Sequence, residues 1–266
     1  MKRIPLCLVV AACIILSSCG SEYRVFPKHT TCDYNNGAVK VSKSIKNLDI
    51  NIDSGKLQIY CWGNDEIKYE AKHVARGNKS DEDLRKLLKK YSVKSNQKEK
   101  TTYIIVSYDG KIKKPQDYYS EVKLTVPRTI KNISIKQDVG SILIEDKFEG
   151  NIIGDVDSVN TEIKAMNGKL NWKCDIGNFR LGSGKLLRDS TVNIKAGNIS
   201  SKSECEINSQ YVFKTDAGNV ELSFPQDSDV TVDSYGTLQN NQFTGIEGNV
   251  KVKAATDMGK ISINGY

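Results

Sequence analysis

Histidine is almost missing from this chain. Of 266 residues only His29 and His73 are histidines, and each stands alone. That leaves little support for a histidine-based metal centre or a catalytic triad. Seven cysteines are present, yet no two form a Cys-x-x-Cys pair, which argues against a zinc site. Beyond Leu16 no segment is apolar enough to span a bilayer as a helix, which excludes a helical membrane-spanning body.

What is present starts with the first twenty residues, MKRIPLCLVVAACIILSSCG. Lys2 and Arg3 precede an uncharged apolar run from Leu6 to Leu16, too short for a comfortable permanent span. The run closes on Leu16-Ser17-Ser18-Cys19. This order resembles the lipobox of bacterial lipoproteins, which implies cleavage before Cys19 and acylation of its thiol. Residues 1–18 are therefore expected to be a signal peptide. Residues 19–43 are expected to be the lipidated cysteine and a polar tether, and 44–266 the exported domain. Two or three acyl chains, at roughly 0.8 kcal/mol per buried CH₂, hold such a protein at a membrane facing outward.

Losing Lys2 and Arg3 takes the formal charge from +7 to +5. This mild excess suits an anionic envelope surface, and export removes nucleic acid as a natural partner. Cys32, Cys61, Cys174 and Cys205 remain in the exported part. They could form two disulfides outside the cytoplasm, or sit as small buried residues in strands.

The body is punctuated by one short pattern: Asp, any residue, Gly, a small polar residue or Lys, then an apolar residue. It occurs at Asp53-x-Gly55, Asp138-x-Gly140, Asp175-x-Gly177, Asp216-x-Gly218 and Asp257-x-Gly259, and around Gly197 without the Asp. Gly177 to Gly197 is 20 residues, Gly197 to Gly218 is 21, and Gly218 to Gly259 is 41. An interval near twenty predicts stacked rungs. The echo of Ile45–Gly55 in Ile130–Gly140, 85 residues later, suggests two related blocks, about 44–128 and 129–266. Between the glycines, apolar residues alternate with polar ones, as in Leu48, Ile50 and Ile52 or Val122, Leu124 and Val126, the signature of half-buried strands. In the turns, the Asp oxygen is expected to accept the backbone N–H two residues on, and Gly takes positive φ. The expected architecture is mainly β: a parallel or irregular β-helix, a solenoid of about 20-residue rungs, with a β-sandwich as the alternative. One helix is expected from about Asp81 to Tyr91, capped by Ser80 and packed beside the strands or over an open edge.

These features resemble the bacterial putative-adhesin domains, a β-helical family of surface proteins. The residues that carry the resemblance are the strand-Asp-x-Gly-strand repeats, Val126-Pro127, Leu222-Ser223-Phe224-Pro225 and the closing Gly259-Lys260-Ile261-Ser262-Ile263-Asn264. The resemblance covers about Lys46 to Tyr266. It implies a β-helix at the cell surface, and no reaction, cofactor or binding residue.

The repeated aspartates could in principle hold Ca²⁺ at a stacked corner, but the calcium-repeat pattern is absent and Lys195 interrupts the series. Turn formation is the simpler role, so no metal or cofactor is expected. Asp155 with Asp157, and Asp227 with Asp229, share a strand face by spacing, as a glycoside-cleaving pair must. Their Gly, Ser and Pro neighbours read as loop or solvated surface. The Lys-rich stretch from Lys79 to Lys114, with Tyr91, Tyr103, Tyr108, Tyr118 and Tyr119 in or beside it, could touch anionic polymer or glycan. The expected function is a membrane-anchored, non-enzymatic binding or structural module of the envelope, adhesin-like. Its expected partners are the membrane through lipid, and envelope glycan, anionic polymer or another envelope protein. The alternatives are a carbohydrate-active enzyme on a β-helix and an accessory or sensor subunit of a membrane complex.

Overall fold

The computed structural model describes residues 29–110, 114–187, 189–245 and 248–266. The expected signal peptide, Cys19 and the start of the tether lie outside the described residues.

Alternation becomes strands. In β2 (Asn47–Trp62), Leu48, Ile50, Ile52, Leu57 and Ile59 are buried while the residues between them face outward. It lies between β1 (His29–Lys40) and β3 (Glu66–Gly77), and the helix α1 (Asp81–Leu88) comes next. Then come β4 (Tyr91–Lys98), β5 (Thr101–Tyr108), β6 (Tyr118–Pro127), β7 (Asn132–Ile144), the short β8 (Phe148–Glu149) and the long β9 (Asn151–Ile163). Short strands follow: β10 (Met166–Gly168), β11 (Leu170–Ile176), β12 (Phe179–Leu181), β13 (Gly184–Leu186), β14 (Ser190–Ala196), β15 (Ile199–Lys202) and β16 (Glu204–Cys205). The chain finishes with β17 (Ser209–Ala217), β18 (Val220–Phe224), β19 (Val230–Asn241) and β20 (Val250–Gly265).

Eight strands pair in the order β9-β11-β14-β17-β20-β18-β15-β12, every pair parallel, and β12 pairs back onto β9. The ladder therefore closes. The architecture is a closed eight-stranded parallel β-barrel with further strands outside it, and this corrects the expected solenoid of repeated rungs. The reason lies in β9 and β20. β9 runs unbroken through the corner at Val159 and β20 through the corner at Gly259, so the first half of each pairs on one wall and the second half on the other. The near-twenty interval is the register between neighbouring barrel strands, as in Asn160, Asn178 and Asn198, offset by 18 and then 20. It is not the unit of an open repeat stack. The sandwich alternative also fails, because its sheets would be antiparallel.

Outside the ring, β7, β2, β5, β6, β3, β1 and β4 extend from β9, β19 extends from β20, and β16-β13-β10-β8 form a separate parallel sheet. The 85-residue echo has a local cause: β2 and β7 pair directly, Asn47 opposite Asn132 and Gly55 opposite Gly140. β3, α1, β4, β5 and β6 come between them in the chain. The segment expected to be tether is already strand β1 from His29, antiparallel to β3.

The core is a single apolar column in which Trp172, Tyr211, Phe179, Phe213 and Phe224 are the largest buried side chains. Each apolar side chain removed from water contributes roughly 1.5–3 kcal/mol. Cys32, Cys61, Cys174 and Cys205 are free thiols. Burial pushes the Cys205 pKa up to about 12, so its thiol stays protonated and inert.

Helix α1 begins as expected. Ser80 Oγ accepts from Asp83 N at 3.2 Å and donates to the Asp83 carboxylate at 2.8 Å. It ends at Leu88 rather than Tyr91, because Tyr91 starts β4. Leu84 and Leu88 pack with Ala75, Tyr91 and Tyr118, so the helix covers the outer strands.

His73 belongs to that outer layer and titrates in a way that can be measured. It is buried, its Nδ1 lies 2.8 Å from Ser120 Oγ, and its ring stacks on Tyr91 at 4.8 Å. Burial lowers its pKa from 6.5, and Asp33 opposite it on β1 pulls only weakly the other way. The unfolded chain therefore binds a proton on His73 before the folded chain does. The neutral-His73 contribution is complete above about pH 6.5 and falls as pH drops toward the folded pKa. The urea midpoint of the native chain should drop more between pH 7 and 5 than that of His73→Gln. Parallel curves for the two proteins would show that His73 does not contribute.

Candidate functional site

The predicted turn residues come together in two adjacent columns. By register, Asp53, Asp138, Asp157, Asp175, Lys195, Asp216 and Asp257 stand in one line. Gly55 and Gly140 pair directly; Gly177, Gly197, Gly218 and Gly259 continue the next line beyond Val159. Gly197 has φ +145, and a Cβ there would lie 1.8 Å from the Gly177 carbonyl oxygen.

The aspartates do something else. None of the five accepts the N–H of its own turn. Asp53 Oδ2 accepts from Tyr108 N at 2.8 Å, Asp175 pairs with Lys195 Nζ at 2.7 Å and Asp216 with Lys214 Nζ at 3.1 Å. Asp138, crowded by burial and by Asp157 and Asp53, has its pKa raised.

Two other sets of groups secure the corners. The residue three before Gly140, Gly177, Gly218 and Gly259 caps the carbonyl on a neighbouring strand. Gln137 donates to Gly55 O at 2.7 Å, Thr215 to Gly197 O and Thr256 to Gly218 O at 2.8 Å, and the Cys174 thiol to Val159 O at 3.5 Å. On the outside, Asn160, Asn178, Asn198 and Asn219 form an amide ladder. Each side-chain oxygen accepts the N–H of the next strand at 2.8–2.9 Å. The Gly-Asn dipeptides at 177–178, 197–198 and 218–219 carried that signal in the sequence.

A second amide ladder borders a groove of about 420 Å³. Asn132 Nδ2 donates to Asn47 Oδ1 at 2.8 Å, Asn151 Nδ2 to Asn132 Oδ1 at 2.9 Å, and Lys169 N to Asn151 Oδ1 at 3.2 Å. Two residues on, Tyr103, Asp49, Ser134, Ile153 and Asn171 lie side by side and form the floor. One residue before the ladder, Lys100, Lys46 and Lys131 stack at the entrances to β5, β2 and β7. Lys46 N donates to Lys100 O at 3.2 Å and Lys131 N to Lys46 O at 2.8 Å.

Of the other grooves, two carry their own ion pairs and one is acidic. One of about 390 Å³ holds Asp155, Asp157, Lys173 and the Lys195–Asp175 and Lys214–Asp216 pairs. One of about 230 Å³ holds Lys72–Glu121 at 3.1 Å and Lys123–Glu70 at 3.8 Å. Asp227 and Asp229 line a third, where Asp229 is already engaged by Asn249 N and Nδ2 at 3.0 and 2.8 Å. Neither predicted carboxylate pair is set apart from such local partners: Asp157 belongs to the corner column and Asp229 to a turn.

No family model matches the chain, and no curated protein matches it. Solved structures do resemble it. A putative cell adhesion protein from Clostridium sporogenes aligns over 89% of this chain and 100% of its own, at 14% identity and TM-score 0.37. A putative adhesin from Parabacteroides distasonis aligns over 88% and 97%, at 12% identity and TM-score 0.43. A putative lipid binding protein from the same species aligns over 88% and 97%, at 14% identity and TM-score 0.32. At such distances no residue role transfers.

The Lys79–Lys114 stretch divides on folding. Tyr103 reaches the groove, whereas Tyr91, Tyr108 and Tyr118 gather around His73 and α1, with Lys90 Nζ 6.0 Å from the Tyr108 ring. Trp172 is core, and Trp62 is a packing residue whose Nε1 donates to Glu66 O at 2.8 Å under Lys68. Among the described residues no group of three or more His, Cys, Asp or Glu side chains is placed to hold a metal, and no helix is long and apolar enough to cross a membrane.

Proposed function

We propose that this chain is a lipid-anchored module on the outer face of a cell membrane that binds a polymer of the envelope without cleaving it. The observation that carries the reading is the open groove over β5, β2, β7, β9 and β11. Its amides are fixed by a hydrogen-bonded ladder on a rigid wall, so they meet a ligand without being reordered. Cys19 supplies the anchor in this reading, and β1, the edge strand outside the barrel, starts at His29. The module is adhesin-like in the sense that it is held at a surface and presents a binding wall.

The test has two arms. Cys19→Ser should leave the precursor unprocessed and move the protein out of the membrane fraction; normal processing and retention contradict the anchor. The full chain in neutral detergent should be retained by purified envelope polysaccharide, whose length distribution stays unchanged after prolonged incubation. Shortened polymer would establish the enzyme alternative, and no retention would defeat the binding reading.

A further inference from the structure

We infer that the groove takes an extended acidic polysaccharide, its acid groups lying on the lysine column and its hydroxyls on the groove floor. This rests on the binding-module reading and names the ligand class for that same site.

Charge balance selects this groove. Two of the other grooves bring lysines and carboxylates within 4 Å and so neutralise much of their own charge, and the third, lined by Glu204, Asp227 and Asp229, is acidic. Lys46, Lys100 and Lys169 have no carboxylate partner among the described residues, and Lys131 Nζ reaches only the Glu149 carbonyl at 3.2 Å. An anion arriving there displaces water rather than an existing ion pair, which is the less costly exchange.

Spacing adds a second argument. Lys100, Lys46 and Lys131 immediately precede β5, β2 and β7, beside the groove lining, and those strands lie about 4.8 Å apart as in any sheet. That step is close to the rise of one pyranose ring in an extended polysaccharide. A polymer running across the strands would therefore meet one lysine per ring.

The floor separates a glycan from a simple polyanion. Asp49 stands between Tyr103 and Ser134, inside a site whose rim is basic. A carboxylate repels phosphate but accepts hydrogen bonds from hydroxyls. The Tyr103 ring beside it offers an apolar face to a sugar ring. Acids at the rim and hydroxyls at the floor describe a uronate-like glycan better than a polyphosphate or a lipid headgroup.

The experiment titrates the full chain in neutral detergent with oligogalacturonate, with a neutral oligosaccharide of equal length, with inorganic polyphosphate and with glycerol 3-phosphate. Oligogalacturonate should bind, and its affinity should fall as salt rises. Lys46→Gln/Lys131→Gln should weaken it roughly tenfold, since two exposed ion pairs are lost. Lys195→Gln/Lys214→Gln, in the self-neutralised groove, should leave it unchanged. Asp49→Asn should weaken oligogalacturonate and strengthen polyphosphate. Circular dichroism confirms that each variant is folded. Equal binding of the neutral oligosaccharide overturns the acidic assignment while leaving the binding module intact. Preference for polyphosphate or glycerol 3-phosphate, insensitive to Asp49→Asn, overturns the glycan assignment in favour of bare charge. No binding of any probe, alongside retention on whole envelope polymer, overturns this inference alone. No binding in either experiment defeats both.

Discussion

Gly197→Ala destabilises the barrel by about 3–5 kcal/mol, a third or more of the stability of an ordinary domain. Two costs combine. A side chain at φ +145 is strained by about 1–3 kcal/mol. The new Cβ would also lie 1.8 Å from the Gly177 carbonyl oxygen and 2.6 Å from its carbon. Those are backbone atoms of the neighbouring strand and cannot rotate away, so the ladder must open, which adds about 1–3 kcal/mol. Asn198→Ala, one residue on, is the control. It removes an exposed amide that accepts from Asn219 N at 2.8 Å and should cost only about 1 kcal/mol. Urea denaturation of both variants decides the matter. A Gly197→Ala protein within about 1 kcal/mol of native stability would mean that the corners do not stack as described.

Trp172→Ala carries a similarly large effect, about 3–5 kcal/mol. Its ring is 1% exposed and lies 5.6 Å from Phe179. Gly154 on the adjacent strand makes the room for it: a Cβ at 154 would come within 2.3 Å of the indole ring. Glycine and tryptophan are therefore one packing unit. Gly154→Ala alone should cost about 1–3 kcal/mol by overpacking. Combined with Trp172→Leu, it should cost at least about 0.5 kcal/mol less than the sum of the single variants. Strict additivity would indicate that the two positions are not in contact.

These two sites mark what could be read from the sequence. Apolar alternation fixed which side chains face inward, and the Gly interval fixed which residues become neighbours. Both are local properties written into every strand. Closure was not legible, because it depends on β9 and β20 staying extended through a corner where the shorter strands break. The Asp-x-Gly pattern located the turns but gave the carboxylates the wrong partners. A stacked corner brings Lys195, Lys214 and Tyr108 N closer than the turn's own N–H. The asparagines do the bonding instead. Their Gly-Asn spacing was visible but was folded into a generic small-polar position.

The groove was the least legible part. Tyr103 on β5 and Lys100 just before it lie inside the stretch read as a basic surface, and they reach the wall only because β5 pairs with the first half of β2. Asn47, Asn132 and Asn151 are spread over a hundred residues, and nothing marks them in sequence apart from the Lys-Asn pairs at 46–47 and 131–132. Parallel pairing at offsets of 85 and 19 makes them one ladder.

Closure of the ladder by β12 against β9 is the point on which the architecture stands, and a disulfide trap tests it. Glu162, half-buried, and Arg180, exposed, are directly opposed on those strands, while Ser200 lies one strand further on. Neighbouring strands are about 4.8 Å apart, within the reach of a disulfide, whereas two strands span roughly twice that and exceed it. In a purified Glu162→Cys/Arg180→Cys protein, mild oxidation should join 162 to 180 in peptide maps. Glu162→Cys/Ser200→Cys should remain two free thiols. An open ladder would be revealed by the reverse, with no 162–180 bridge and a 162–200 bridge forming in its place.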